Sequence, residues 1–254
     1  MMGIVNLSPD SFYDGGTSSD ALSQQIDEFN AANVDIIDIG AESSRPGSSP
    51  ISSNDEINRL RDGLAHISSH SPALISVDTY KAATADFALS NGATIINDIT
   101  GGESDDLLRV VQQHNASIVL MHKQGSPDTM QNAPHYTHVI DDVKSYLSNQ
   151  IDKARSFGIT SIIVDPGIGF GKTLEHNLLL LKHLNEFQSL GCPILIGTSN
   201  KSFIGHLTNA DVHERVPGSI ASALATYEKG ARIFRVHNVK ETQQAFQVYR
   251  AIHE

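Results

Sequence analysis

Short apolar runs in this chain keep ending on Asp or Asn. Met2-Gly3-Ile4-Val5 runs into Asn6, Asp35-Ile36-Ile37 into Asp38, and Leu74-Ile75-Ser76-Val77 into Asp78. Ile95-Ile96 runs into Asn97-Asp98, Ile162-Ile163-Val164 into Asp165, and Ile233-Phe234-Arg235-Val236 into His237. β-branched runs this short read as buried strands of a parallel sheet. Packing does not explain a polar residue closing each of them. Laid side by side, such strands bring those side chains to one rim, and in a (β/α)8 barrel the C-terminal rim carries the active site.

The order of elements predicts that barrel. Strands centred on Ile4, Ile37, Ile75, Ile95, Val119, Ile163, Leu195 and Phe234 alternate with helix-like stretches. The helices are expected over Ala21–Asn33, Ser53–Ser69, Lys81–Asn91, Ser104–His114, Thr137–Phe157, Leu174–Leu190, Pro217–Lys229 and Val239–His253. Ser53 with Glu56 has capping-box spacing. Asn91-Gly92, Phe157-Gly158 and Lys229-Gly230 read as helix stops. At 254 residues the chain is close to the usual length of one such barrel, about 250 residues. An α/β fold, a single (β/α)8 TIM barrel over residues 1–254, is therefore expected. An open doubly wound sheet would show a glycine fingerprint after its first strand, and there is none. Loops after strands run long (Leu7–Asp20, Gly40–Ser52, His122–Tyr136, Thr198–Arg215), and those before strands are short. Long loops in a compact domain usually carry function.

Composition narrows the partners. A formal charge of −11 argues against a nucleic-acid surface, which needs a basic stripe. No apolar run approaches the ~20 residues of a membrane span, and the chain opens on a strand with no signal segment. Cys192 is the lone cysteine and reads as a small buried hydrophobe, so a reducing, cytoplasmic setting is expected.

Three groups carry chemistry. Asp165-Pro166-Gly167-Ile168-Gly169-Phe170-Gly171-Lys172-Thr173 ends like a phosphate-binding P-loop, but Pro166 stands where that motif needs its first glycine. The glycines instead predict a backbone passing close to a flat ligand. Asp78, Asn97 and Asp165 stand at the same end of their strands. A carboxylate accepts paired N–H bonds from a 2-amino-4-oxo-pyrimidine edge, and an amide supplies both a donor and an acceptor. Arg45, Lys201, Arg235 and His237 are the basic residues of the same rim. Arg235 and His237 share a strand face, which predicts an anion clamp. Lys201 falls after the seventh strand, where barrels of this kind often hold phosphate, though helix salt bridging is the bland alternative. His122, His135 and His138 invite a zinc reading, but with no cysteine or carboxylate cluster nearby a solvated loop is the expectation.

These motifs resemble the dihydropteroate synthase family of bacterial folate synthesis, across essentially the whole chain. The likeness rests on Met2 through Phe12, Asp35 through Gly47, Ser76-Val77-Asp78-Thr79, Ile96-Asn97-Asp98, Asp165 through Thr173, Lys201-Ser202-Phe203-Ile204-Gly205 and Arg235-Val236-His237. The resemblance implies condensation of 6-hydroxymethyl-7,8-dihydropterin diphosphate with p-aminobenzoate, giving 7,8-dihydropteroate and diphosphate with Mg2+. It places the pterin on Asp78, Asn97, Asp165 and Lys201, packed by Met121, Phe170 and Gly197. It places the diphosphate on Asn6, Arg45, Arg235 and His237, with Asn6 also on the metal. Phe12, Ser44 and Pro46 would form the aminobenzoate site, and Asp38 would orient the loops and the leaving group. A homodimer and sulfonamide binding are further implications.

The chain departs from the family pattern in four places. Asn200 stands where Arg is usual before the lysine, Asn238 where Asp is usual, and Ala41 where a second glycine is usual, while the N-terminal hairpin is absent. A neutral amide at Asn200 can neither stack nor supply charge, so reduced or altered aminobenzoate handling is expected, with Asn200→Arg improving it. A pterin-dependent methyltransferase barrel and a non-catalytic pterin-binding paralogue are the competing readings.

Overall fold

The computed structural model describes residues 1–7, 18–42, 49–125, 130 and 133–253, with the side chains of residues 18 and 19 left out. Eight parallel strands close into a barrel in chain order, each pairing with the next and β8 with β1. They are β1 Met2–Asn6, β2 Ile36–Gly40, β3 Leu74–Asp78, β4 Ile95–Asp98, β5 Ser117–Met121, β6 Ile162–Asp165, β7 Ile194–Ile196 and β8 Ala231–Val236. Every expected strand centre falls inside one of them. The described helices are α1 Ser18–Ala31, α2 Ser53–His70, α3 Ala82–Ser90, α4 Asp105–Gln113, α5 Val139–Ser156, α6 Leu174–Lys182, α7 Ser202–Thr208, α8 Val216–Tyr227 and α9 Val239–His253. None is long and apolar enough to cross a membrane.

Strand period two sorts the core into two parts. Outward residues such as Val5, Ile37, Val77, Ile96, Leu120, Val164 and Phe234 pack against the helices. Inward residues Met2, Ile36, Ile95, Val119, Ile163 and Leu195, with Ile233 against them, fill the barrel's lower interior. The barrel is therefore plugged from below and can open only at the C-terminal rim.

Local chemistry explains where elements start and stop. Gly92, Gly158 and Gly230 take φ of 101°, 88° and 99°, as helix-stop glycines should. Three expectations need correction. The cap of α2 is Ser52, whose Oγ accepts from Asp55 N at 3.1 Å, and Glu56 turns inward instead of closing a capping box on Ser53. The stretch Leu174–Leu190 is two pieces: α6 ends at Lys182, and a 3-10 segment, Leu184–Leu190, follows it. Thr198–Arg215 is not a plain loop, because it holds α7 and the 3-10 turn Val212–Glu214. Both pieces are too short to show helical periodicity in sequence.

Candidate active site

The polar site is the layer directly above the apolar plug. Two residues further along the same inward faces stand Ile4, Asp38, Asn97, Met121, Asp165, Gly197 and Arg235. Six of the seven are residues singled out from sequence for the site. Asn6 and Asp78 stand one inward step higher on β1 and β3. The change from hydrocarbon to polar side chains thus happens within one layer.

Asp38 is the hub of this layer. It is fully buried and accepts from Ser76 Oγ at 2.6 Å, Asn97 Nδ2 at 3.2 Å and Arg235 Nε at 2.6 Å. The Arg235 guanidinium also reaches Asp78, Nη2 to Oδ2 at 2.8 Å. Burial works against the Arg235 charge, but Asp38 and Asp78 more than offset it and hold its pKa above the ordinary value. Burial raises Asp78 from 3.8 to about 7; Arg235 opposes the shift, and the Asp38 charge adds to it. The inward arginine inferred from strand alternation is real, and in this structure its partners are two carboxylates.

The other wall is built on the Asp165–Thr173 segment. Asp165 Oδ1 accepts from Gly167 N at 2.7 Å, and burial raises its pKa against the pull of Lys201. Burial likewise lowers Lys201 to about 8, with Asp165 opposing. The Lys201 ammonium donates to the Ile168 carbonyl and lies 4.3 Å from the Phe170 ring centroid, a cation–π distance. Lys172, 3% exposed, donates to the carbonyls of Gly167 at 2.9 Å and Phe170 at 3.0 Å and lies 2.9 Å from His122 Nδ1. It pins the segment to the end of β5. The glycines serve that closure. A Cβ on Gly167 would stand 1.8 Å from the His122 carbonyl oxygen, and one on Gly171 2.4 Å from that of Gln124. Both also have positive φ. The close approach inferred from sequence is therefore, at these two positions, to the backbone of the segment that follows β5.

Three carboxylates, an amide and two cations above an apolar barrel floor suit a flat heterocycle with N–H groups on its edge. Comparison with known proteins agrees. The family described as pterin binding enzyme matches residues 2–237. The chain is 41% identical over 256 residues to the dihydropteroate synthase of Escherichia coli K12, covering 99% of this chain and 90% of that protein. The chain belongs to the dihydropteroate synthase family. The Yersinia pestis dihydropteroate synthase, solved with a sulfonamide drug complex, superposes with a TM-score of 0.94 at 38% identity, covering 99% of this chain and 93% of that one. The Thermus thermophilus enzyme in complex with 4-aminobenzoate gives a TM-score of 0.88 at 37% identity, covering 99% and 93%. The same enzyme has been solved with 6HMPPP.

The remaining residues of interest to a synthase are placed as follows. Met121 is buried at the end of β5, in register with Asp165. At Gly197 an added Cβ would meet only Arg235 Cβ, at 3.9 Å, so the space beside the stem of that side chain is open. His237 Nδ1 lies 3.0 Å from Ser199 Oγ, one inward step beyond Arg235. Phe12, Ser44, Arg45 and Pro46 lie outside the described residues. Of the three histidines of the zinc reading, His135 and His138 are exposed, but His122 is buried on Lys172 and held neutral down to about 3, first by burial and then by that ammonium.

Asn200 is a working part of the loop after β7. It takes φ of 57°, its N–H donates to Ser219 Oγ at 2.9 Å, and its side-chain oxygen accepts from the same hydroxyl at 3.3 Å. Arg215 Nη1 donates to its carbonyl at 3.1 Å. Sequence reasoning missed Ser76, Ser199, Ser219 and the role of Lys172. The serines gave no signal, because a hydroxyl that bonds a functional side chain looks like any other serine. Lys172 was visible only as the end of a failed P-loop.

Proposed function

We propose that this chain condenses 6-hydroxymethyl-7,8-dihydropterin diphosphate with p-aminobenzoate, releasing 7,8-dihydropteroate and diphosphate. The observation that carries the reading is the layer of Asp38, Asp78, Asn97, Asp165, Lys201 and Arg235 over an apolar plug, in a chain that matches dihydropteroate synthases along its length. Relatives solved with 4-aminobenzoate, with 6HMPPP and with pteroic acid support both substrates and the product.

In this reading Asp78, Asn97 and Asp165 take the pterin edge, with Lys201 beside it and Met121, Phe170 and Gly197 shaping the slot. As the carbon–oxygen bond to diphosphate breaks, positive charge develops on the pterin. Asp78 and Asp165 stabilise it by electrostatics already in place. Arg235, His237 and Arg45 neutralise the departing oxygens, and Asp38 holds Arg235 at its post. The aniline nitrogen then attacks the electron-poor carbon, and the proton it sheds passes to solvent water, so no strong base is needed. Phe12, Ser44 and Pro46 are assigned to the aminobenzoate.

Mg2+ fits as a companion of the diphosphate. Among the described residues no group of acids and histidines could hold a metal alone. Asn6, half-buried at the end of β1, offers one neutral oxygen. Magnesium commonly keeps its waters and binds through few protein ligands plus phosphate oxygens. When bound, it supplies charge neutralisation on the leaving group. A cytoplasmic homodimer completes the proposal; a single cysteine in 254 residues supports a reducing compartment.

The test is diphosphate release from the pterin substrate with and without p-aminobenzoate. Release that depends on p-aminobenzoate and yields dihydropteroate is expected. Binding without release would mark a non-catalytic pterin protein, and methyl transfer would mark the methyltransferase reading. An aryl sulfonamide should compete with p-aminobenzoate.

A further inference from the structure

One buried amine takes no part in the proposed reaction. Lys172, 3% exposed, turns back under its own segment. Its Nζ donates to the carbonyls of Gly167 at 2.9 Å and Phe170 at 3.0 Å. Those two residues are the ends of one tight turn, closed by Phe170 N donating to the Gly167 carbonyl at 3.1 Å. On its other side Nζ lies 2.9 Å from His122 Nδ1. His122 is a firm anchor. Its backbone N donates to the Asp165 carbonyl at 2.9 Å, and its ring meets Tyr146 edge-on with centroids 4.9 Å apart.

The turn that Lys172 brackets carries three contacts of the pterin wall. Gly167 N donates to Asp165 Oδ1 at 2.7 Å. The Ile168 carbonyl accepts from Lys201. The Phe170 ring centroid stands 4.3 Å from the Lys201 ammonium. The turn has little of its own to hold this shape. Gly167 and Gly169 sit in it at φ of 69° and 84°, and neither brings a side chain to pack. Donors from outside the turn must set it, and Lys172 reaches both of its ends with one atom. Burying an amine this deeply is costly, and in an open loop water would satisfy the same carbonyls. Burial lowers the Lys172 pKa well below its ordinary value, with Asp165 opposing. That does not release the turn, because even a neutral amine has two N–H bonds for the two carbonyls.

We propose that Lys172 is a positioning residue for the pterin, holding the turn 167–170 so that Asp165, Phe170 and Lys201 meet one ligand together. The inference rests on the proposed pterin site for its binding readout. Its exchange readout does not.

Lys172→Met and Lys172→Gln test it in the full chain, with Leu107→Ala, buried on α4, as a control that destabilises elsewhere. Lys172→Met should raise the Kd for 6-hydroxymethyl-7,8-dihydropterin by about tenfold to a hundredfold, the scale of one or two lost hydrogen bonds from charged groups. The Kd for inorganic diphosphate should stay within about threefold, because Arg235 is held by Asp38 and Asp78 instead. Lys172→Gln, with two N–H bonds on a shorter stem, should recover part of the pterin affinity. Hydrogen exchange at the Gly167 and Phe170 amides should quicken in Lys172→Met more than in Leu107→Ala. If Lys172→Met does not fold, Lys172→Gln carries both readouts against the parent, with a rise in pterin Kd of at least about threefold. In the variant that carries the readouts, unchanged pterin affinity or an equal loss of pterin and diphosphate overturns the proposal. An equal loss of pterin affinity in Leu107→Ala, or amide exchange as slow as in the parent, overturns it too. A parent that binds no pterin refutes the synthase reading, while exchange still decides whether Lys172 holds the turn.

Discussion

Arg235 donates from Nη2 to Asp78 at 2.8 Å, so the residue assigned to the diphosphate is bonded to a residue assigned to the pterin. Its Nε holds Asp38 at 2.6 Å on the other side. The guanidinium fork suits such two-point contact, and an ammonium does not. The two substrate halves therefore meet through one side chain before either is bound. N–H groups of an arriving pterin would compete with Arg235 for Asp78, leaving Nη2 available to the diphosphate oxygens.

Asp78 should leave a pH signature in stability. Its pKa is raised to about 7 in the fold, so between about pH 4 and 7 the native chain holds a proton that the unfolded chain has released. Stability from this group is present at low pH and is lost as pH rises through that window. His122 contributes the opposite slope: lowered to about 3 in the fold, it costs stability as pH falls below its ordinary value. The difference between parent and Asp78→Asn isolates the carboxylate. The melting temperature of Asp78→Asn minus that of the parent should grow as pH rises from 4 to 7. A flat difference would place the titration elsewhere.

Removing the cation of this pair should be severe. Arg235→Leu leaves Asp38 buried without its partner, and a broken buried ion pair costs about 3–5 kcal/mol. Arg235→Lys should recover part of the stability but not the two-point contact. Urea denaturation checks the first statement, and titration with diphosphate checks the second. Loss below about 1 kcal/mol would mean the pair is solvent-screened.

Asp165→Asn should abolish measurable binding of the pterin diphosphate while the fold survives. The variant keeps an oxygen for Gly167 N, so the turn is retained. What it loses is the charge-assisted bond to the ligand. Calorimetry showing affinity within about threefold of the parent would remove Asp165 from the pterin site.

Chelation should stop turnover, and Mg2+ should restore it. The melting temperature of the ligand-free protein should not move, because the metal is expected to arrive with the diphosphate. A large drop on chelation would reveal a folding metal.

The barrel was legible because its strands are short apolar runs, rich in β-branched residues, that alternate with stretches long enough to read as helices. The polar layer was legible for the same reason: Asp38, Asp78, Asn97 and Asp165 break apolar runs, and a break at a strand end has few packing explanations. Pairing was not legible. Nothing in Arg235 says that it will choose Asp38 and Asp78, since contacts between β8, β2 and β3 are set by closure of the barrel. Glu56 shows the opposite failure. Its local spacing from Ser53 suggested a helix cap, but it turns inward and accepts from Lys81 Nζ at 2.9 Å and Thr84 Oγ1 at 3.0 Å. The α7 helix was hidden by its length.

Asn200 is the position where sequence and structure give opposite expectations. Read as a missing arginine, it predicts that Asn200→Arg improves aminobenzoate kinetics. In the fold it takes φ of 57°, a left-handed conformation that Asn tolerates far better than residues with long side chains. Its amide oxygen accepts from Ser219, and Arg215 already brings a guanidinium to its carbonyl. Arginine there would lose the side-chain bond to Ser219, though not the backbone one, and add backbone strain of about 1 kcal/mol. It would also set a second cation beside Arg215. Asn200→Arg should therefore lower the melting temperature and leave the aminobenzoate KM unchanged or worse. Asn200→Gly, which suits the backbone, should cost less. Thermal melts with steady-state kinetics in each substrate decide it. A lower KM at an unchanged melting temperature would show that the loop accepts the arginine and that Arg215 does not stand in for it.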